Sequence, residues 1–560
     1  MKNEVNEVKK TVILSGAAGL GLNTLAYFFE TTLKQKGYHL LSYKNYMSRI
    51  RGGFNFTTVT FSDEPVNMIE EKADVLIALD QNAYGILDHL KPDATILTYE
   101  RFKQGHSNEM VIDSVLPQGA AIDKKSFPMM ALGALFKIFG IDESSIDRVE
   151  MKKWGESTNQ NNKNAVRIGY TNTTNKYTLE SYKDERTMRL NGNQAVALGA
   201  MSAGLRFFSA YPMAPSTGIM MTLSKFEEKN KMIVEQVEDE IAGIIAALGA
   251  SSNGVRSMTA TSGGGFSLMV EGLGFAGVAE LPIVIANVQR PGPATGLPTR
   301  TEQGDLEFIS RASQGEFPRI ILAPTTIEAC FYESQRAFNL ADKYQLPVVI
   351  LTDQFLADSN ATIPKVNPFK VGVQRHINTD IEGYKRYDFD KVLNGRKFPG
   401  LDDTLIMNDS HVHDEHGHMT EDIEATIKLK HRLMSKLDLM VDDLHEPTYI
   451  GDTDAKEVFI GWGSTVPALI DTVKSLNDQG KKVGALLFTD VFPVPQKTLI
   501  KMKAEEKTLI NVEQNYNNQF GKLILAETGV KFDKSINKYD GRPLTAEYII
   551  REYEVIHHDK

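Results

Sequence analysis

One cysteine occurs in 560 residues. A lone thiol excludes a disulfide within the chain. It also excludes an iron–sulfur cluster held by this chain alone, which usually takes four thiolates. Cys330 itself falls in the helical pattern TTIEACFYESQRAF and reads as buried filler. No apolar run reaches the roughly 18 residues of a spanning helix. The charged opening MKNEVNEVKK is followed by no apolar signal region, so a cytoplasmic protein with no membrane partner is expected. Positive charge is not in excess either. The net charge of −10 argues against nucleic acid as a partner, since neutralising phosphates requires a basic face. Short repeats of solenoid length are also missing.

What is present is an ordinary globular composition, 42% apolar and 24% charged. The length implies two to four domains. In the first segment an apolar strand, Val12–Leu14, runs into Gly16, Gly19 and Gly21, then an amphipathic helix, then a strand near Tyr38–Tyr43. That is one βαβ unit. ADVLIALD and ATILTY read as further parallel strands. The Asn-rich stretches Ser157–Ala165 and Gly169–Thr178 read as a surface connection. A second α/β segment starts near Asn191, and its alternation of apolar strands and helices implies a parallel sheet covered on both faces. Residues 365 to 450 lose this rhythm, and a third α/β segment opens with EVFIGWGSTVPALIDTV. The fold class is therefore multidomain α/β.

Several motifs carry chemistry. Glu238, Asp239 and Glu240 stand at the mouth of the apolar helix pattern IAGIIAALGAS, which reads as a buried helix. Acids there compensate the helix dipole; alternatively, one of them touches a cofactor. Thr261–Phe266, TSGGGF, is a strand-to-helix loop that admits close backbone approach, by a ligand or by its own fold. Arg290 follows the apolar strand IVIANV, and strand C-terminal ends are where α/β folds place ligands. A guanidinium there suits a carboxylate, or a surface ion pair. Arg300 and Asp305 read as structural. The loop Gly16–Gly21 has the spacing Gly-x-x-Gly-x-Gly, which is not the dinucleotide fingerprint; it offers amides at a helix N-terminus and is assigned no catalytic role. Arg49–Gly53, RIRGG, is basic and suits a partner subunit or coenzyme A. His411, His413, His416 and His418 sit beside Asp414 and Glu415, which reads either as a metal-binding tract or as a polar loop.

Taken together, NQAVALGAMSAGL, YPMAPST, VEDEIAGIIAALGAS, TATSGGGFSLMVEGLGFAGVAELPIVI and QRPGPATGLPTRTEQGDL resemble the α subunit of 2-oxoacid:ferredoxin oxidoreductases. GAAGLGL with RIRGGFNFTTVTFSDEPV resembles the γ domain of those enzymes, fused ahead of the α part. GWGSTVPALIDTVKSLNDQG with VEQNYNNQFGKL resembles their transketolase C-terminal-like domain. The implied organisation is a Rossmann-like γ-type domain over residues 1–185, a thiamine diphosphate pyrimidine-binding domain over 190–365, a connecting segment over 366–450 and a transketolase C-terminal-like domain over 451–560. The implied reaction decarboxylates a 2-oxoacid, passes electrons through a [4Fe–4S] cluster to ferredoxin, and delivers the acyl group to coenzyme A.

The resemblance also implies a β subunit that holds the diphosphate, Mg²⁺ and the cluster, within an (αβ)₂ heterotetramer. In agreement, the chain has no Gly-Asp-Gly tripeptide, with which the metal-diphosphate signature of thiamine enzymes begins. Of the three acids, Glu240 alone stands nine residues before a Gly-Ala pair, Gly249–Ala250, as the family's activating Glu does. It is expected to contact the aminopyrimidine of thiamine diphosphate, and Tyr211, Pro212, Gly263 and Gly264 are expected at the cofactor. Arg290 and Thr299 are expected at the oxoacid carboxylate, with Asp414 near the substrate entrance and no metal in its loop. Two departures stand out. Ala214 replaces the usual Thr of the turn, so Ser216 and Thr217 are the candidate substitutes for its hydroxyl. Gly264 replaces a usual Pro. 2-Oxoglutarate is the favoured substrate, with pyruvate or a branched-chain oxoacid as alternatives. A non-catalytic nucleotide-binding regulator and an NAD-dependent dehydrogenase are the competing functions.

Overall fold

The computed structural model describes residues 8–47, 53–116, 126–182, 187–379 and 383–558. The chain forms two compact units: Met1–Leu190 with Ser359–Lys365, and Asn191–Asp358 with Val366–Lys560.

The first unit is built on an eight-stranded sheet. In spatial order its strands are Glu109–Val111, Leu90–Thr98, Ala73–Ala78, Lys10–Ser15, Phe56–Ser62, His39–Asn45, Asn360–Pro364 and Thr187–Asn191. Lys10–Ser15 runs parallel to Ala73–Ala78, but Phe56–Ser62 inserts antiparallel between Lys10–Ser15 and His39–Asn45. The expected βαβ unit is therefore split by a third strand. Phe61 meets Phe139 edge-on at 5.3 Å between ring centres, and that contact lies in the core. The expected surface connection is corrected over Ser157–Ala165, while residues 172–178 of its second stretch are irregular and mostly exposed. Residues Glu156–Thr171 form a 16-residue helix that packs on the almost wholly buried helix Phe127–Ile138. The two backbones touch: a Cβ at Gly169 would lie 1.8 Å from Met130 O, and one at Gly133 would lie 1.9 Å from Val166 O. A glycine on each helix thus permits a contact that the polar composition conceals.

The second unit holds two sheets. Six parallel strands run in the order Ile320–Leu322, Pro347–Asp353, Ile283–Gln289, Ser257–Thr261, Phe207–Ala210 and Ile233–Gln236. Their central members are wholly buried and rich in Val, Ile and Ala, as a sheet covered on both faces requires. Asp490–Phe492 from the C-terminal segment closes the edge antiparallel. The five-stranded sheet is Thr448–Gly451, Val483–Phe488, Glu457–Trp462, Thr508–Glu513 and Lys534–Asn537, parallel except for the first. Both sheets feed one core, in which Phe266 and Ile285 belong with Trp462 and Phe520. The connecting segment is pinned by charge. Arg432 and Lys436 both bond the fully buried Glu280. No helix among the described residues is long and apolar enough to cross a membrane.

Candidate active site

The site forms where helix Glu240–Ser252, the turn after Ser257–Thr261 and the loop after Ile283–Gln289 meet at the C-terminal end of the parallel sheet. The three acids at the helix mouth have separate fates. Glu238 is exposed. Asp239 is the N-cap, and its carboxylate accepts from Ala242 N at 2.8 Å, so it serves the helix. Glu240 is 3% exposed. Its Oε1 is buried with no hydrogen-bond partner. Burial raises its pKa, and neighbouring Asp239 adds to that. An unpaired acceptor in such a place is costly and is usually retained for a ligand.

Gly265 makes room for this carboxyl. A Cβ at Gly265 would lie 2.4 Å from Glu240 Oε1 and 2.1 Å from Thr261 Oγ1. At Gly264 the nearest atom would be 3.6 Å away, so packing does not demand glycine there. At Gly263 the obstacle is Asp305, whose Oδ1 would be 2.3 Å from a Cβ. Sequence reasoning selected Gly263 and Gly264 and missed Gly265 and Asp305. Their signal is tertiary proximity, which no local motif carries. The expectation of a buried helix is also corrected in part. Ile241 and Ile245, one turn apart, are 49% and 43% exposed. Tyr211, Met221, Leu268 and Leu297, on neighbouring segments, are also large exposed apolar side chains.

The turn after Phe207–Ala210 delivers Tyr211, exposed, and Pro212, half-buried. The Ala214–Pro215 peptide is cis. Ser216 is buried, and its hydroxyl donates to Met213 O at 2.7 Å, so that group is engaged within the turn; Thr217 is half-exposed at the start of helix Thr217–Leu223. Arg290 Nη1 donates to the Ala214 carbonyl at 2.6 Å. Two motifs far apart in sequence are thereby joined, and the link uses the backbone of Ala214, not the side chain that departs from the family. Among the described residues Arg290 has no ion-pair partner within bonding distance, and burial lowers its pKa while Asp305 offsets part of that. Most of its five donors stay open for a carboxylate. Thr299 is nearly buried in the loop that follows. Gln303 anchors this loop to the five-stranded domain: its amide donates to Gln514 O at 2.7 Å and its Nε2 to Trp462 O at 2.8 Å.

Asp414 builds its own loop. Its carboxylate accepts from the amides of His416 at 2.9 Å and His418 at 3.0 Å. Slight burial would raise its pKa, but those amides outweigh it and hold the group below its usual range. His413 is buried against Tyr387, ring centres 3.9 Å apart, while His411, His416 and His418 are exposed. In the Gly16–Gly21 loop the Ala17 amide is taken by Asp80 at 2.7 Å. In RIRGG, residues 49–52 lie outside the described residues.

Comparison with known proteins defines the class first. Residues 11–172 match pyruvate ferredoxin/flavodoxin oxidoreductase, residues 198–431 match the thiamine-diphosphate-binding domain of pyruvate flavodoxin/ferredoxin oxidoreductase, and residues 455–549 match core domain II of pyruvate:ferredoxin oxidoreductase. The 2-oxoacid:ferredoxin oxidoreductase subunit alpha of a Sulfolobus species is 30% identical over 95% of this chain and 94% of its own. A 2-oxoglutarate synthase subunit KorA from Methanocaldococcus jannaschii is 34% identical over 58% of this chain and 89% of its own. The solved 2-oxoglutarate:ferredoxin oxidoreductase of Magnetococcus marinus, with 2-oxoglutarate, coenzyme A and succinyl-CoA bound, superposes with a TM-score of 0.91 at 28% identity, over 98% of this chain and 99% of that one. The chain belongs to the family of 2-oxoacid:ferredoxin oxidoreductase α subunits.

Proposed function

We propose that this chain, with a β subunit, converts a 2-oxoacid to acyl-CoA and CO₂ and passes the electrons through a partner-held [4Fe–4S] cluster to ferredoxin. The observation that carries the reading is the buried, partnerless Oε1 of Glu240, set against the α-carbon of Gly265. A carboxyl whose pKa burial raises is suited to share a proton with a ring nitrogen. These residues fit the aminopyrimidine of thiamine diphosphate. Glu240 would hold N1′, with Tyr211, Pro212 and the Gly263–Gly264 backbone beside the ring. Bound thiamine diphosphate supplies a nucleophilic carbon for cleaving the bond to the oxoacid carboxylate.

This chain's residues then hold and orient. Arg290 would take the oxoacid carboxylate through its open donors, with Thr299, Ser216 and Thr217 alongside and Asp414 at the entrance. Ser216 would have to give up its bond to Met213 O to contribute its hydroxyl. The missing Thr hydroxyl at Ala214 does not disconnect the turn, because Arg290 bonds the Ala214 carbonyl; that weakens the case for a non-catalytic regulator. The single thiol, Cys330, is fully buried and burial pushes its pKa up, which suits no cluster. The β subunit is therefore assigned the cluster, Mg²⁺ and the diphosphate, in an (αβ)₂ assembly. The exposed Ile241 and Ile245 beside Glu240 are the expected contact with that subunit. The Methanocaldococcus and Magnetococcus proteins favour 2-oxoglutarate over pyruvate or a branched-chain oxoacid.

The test is co-expression with the β subunit and an assay of CoA-dependent dye reduction across several 2-oxoacids. Turnover greatest with 2-oxoglutarate is expected. No turnover with any oxoacid, in a complex that carries its cluster, would overturn the reading.

A further inference from the structure

The loop from Arg290 to helix Leu306–Arg311 carries two acids, Glu302 and Asp305, with no part in the reaction so far. Asp305 holds the N-cap position of that helix, yet its side chain makes no cap hydrogen bond. The carboxylate turns into the site instead. Its Oδ2 accepts from Asn287 Nδ2 at 2.9 Å, and its backbone amide is fixed by Gln289 Oε1 at 3.0 Å. Its Oδ1 packs on Gly263, as Glu240 packs on Gly265, so two carboxyls flank one glycine turn. Glu302, three residues earlier, is half-buried and makes no hydrogen bond or ion pair to a described residue.

The charge around this pair is sparse. Arg290 is the cation that acts on Asp305. The groups in contact on the other faces are neutral: Asn287 and Gln289 from the strand, Ser262 and Gly263 from the turn, and Gln519, whose Nε2 donates to Gly304 O at 2.8 Å; the other titratable group at the turn is Glu240, on its Gly265 side. Asn287 Oδ1 and Ser262 Oγ are buried without partners. Burial pushes Asp305 up to about 6, against the opposing pull of Asn287 and Arg290. Burial and then Asp305 push Glu302 up to about 7. A substrate carboxylate arriving at Arg290 brings a like charge toward Asp305, on which Arg290 acts, and Asp305 in turn acts on Glu302; a like charge disfavours the ionised forms.

We propose that Glu302 and Asp305 are positioning residues that take up one proton from solvent when the oxoacid carboxylate reaches Arg290, so that the charge of the site is preserved on capture. The proposal rests on Arg290 being the oxoacid anchor. The sign follows from linkage. Where the pair is ionised in the free enzyme and half-neutral in the complex, affinity falls about tenfold per pH unit. Glu302 places the onset near pH 7.

The test uses the intact complex with its β subunit, measuring KM and kcat for 2-oxoglutarate and for pyruvate from about pH 6 to about pH 8.5. In the wild type KM should rise about tenfold per unit above the onset, and kcat should not follow it. Glu302→Gln, at a half-buried side chain with no bond to lose, should flatten the rise. Asp305→Asn, which can still accept from Asn287, tests the other member, with thermal unfolding to confirm that it folds. A wild-type KM flat with pH, under normal turnover, overturns this proposal alone. So does a rise that persists in both variants. Absence of turnover with every oxoacid overturns the reading of the enzyme, and this proposal with it.

Discussion

Gly265→Ala is the most discriminating packing test of the site. The added methyl would sit 2.1 Å from Thr261 Oγ1 and 2.4 Å from Glu240 Oε1, where ordinary contact begins at 3.4 Å. Both oxygens must retreat by about 1 Å, and a displacement of that size at a reacting group costs on the order of 10²-fold in rate. Neither can move freely, since Thr261 and Glu240 are both buried. Overpacking of this kind costs about 1–3 kcal/mol of stability, offset by about 1 kcal/mol from replacing a helical glycine. Gly264→Ala is the control. It gains the same helical term, and its nearest neighbour is 3.6 Å from the new carbon. The two variants, each assembled with the β subunit, should be compared by thermal unfolding and by oxoacid-dependent dye reduction. Gly265→Ala should lose about 10²-fold in kcat and unfold at a lower temperature than Gly264→Ala, whose new methyl meets no protein atom closer than 3.6 Å. Wild-type kcat in Gly265→Ala would refute the claim that Glu240 is held in place against this turn.

Three further outcomes are expected. Arg290→Ala should lower kcat/KM about 10–150-fold for every oxoacid, the equivalent of about 1.5–3 kcal/mol for a charged hydrogen bond, while thiamine diphosphate binding measured by calorimetry is unchanged. The chain purified without its partner should carry no stoichiometric iron or sulfide by metal analysis, because its one thiol is fully buried. Acid unfolding should engage Glu280. Burial alone would raise its pKa, but Arg432, Lys436 and Arg386 outweigh it and hold the carboxyl at about 2, against 4.5 when unfolded. A depressed folded value means that its contribution is full above pH 4.5 and is lost as pH falls toward 2. Glu280→Gln should therefore flatten the stability–pH curve within that window, and an unchanged slope would contradict the assignment.

Much of this was legible in the sequence because the relevant signals are local. Strand–glycine–helix punctuation marked Val12–Gly21, and long apolar strands marked the parallel sheet around Ile283–Gln289. The resemblance to the family, whose activating Glu stands nine residues before a Gly-Ala pair, picked one acid of three, and the exposure of Glu238 and the capping by Asp239 leave Glu240 as the buried one. What escaped depends on contacts between distant segments. The Asn-rich residues of helix Glu156–Thr171 hide a stripe of Ala165, Val166 and Gly169 that has meaning only against Gly133 of another helix. Strand Asn360–Pro364 returns to the sheet of the first unit, and nothing in its five residues announces the partner. Ile241 and Ile245 read as core by composition, yet they are 49% and 43% exposed. Asp305 read as structural, and only its bond to Asn287, with no cap hydrogen bond to the helix it precedes, shows where its carboxylate goes.

The central claim is that Glu240 governs proton removal from C2 of bound thiamine diphosphate. Hydrogen–deuterium exchange at that carbon, in the assembled complex without oxoacid, measures the step directly. Glu240→Gln keeps the size of the side chain and should slow exchange by about 10²–10⁴-fold. Glu238→Gln, at an exposed position on the same helix end, should exchange at the wild-type rate. Wild-type exchange in Glu240→Gln, with cofactor bound and cluster intact, would contradict the account.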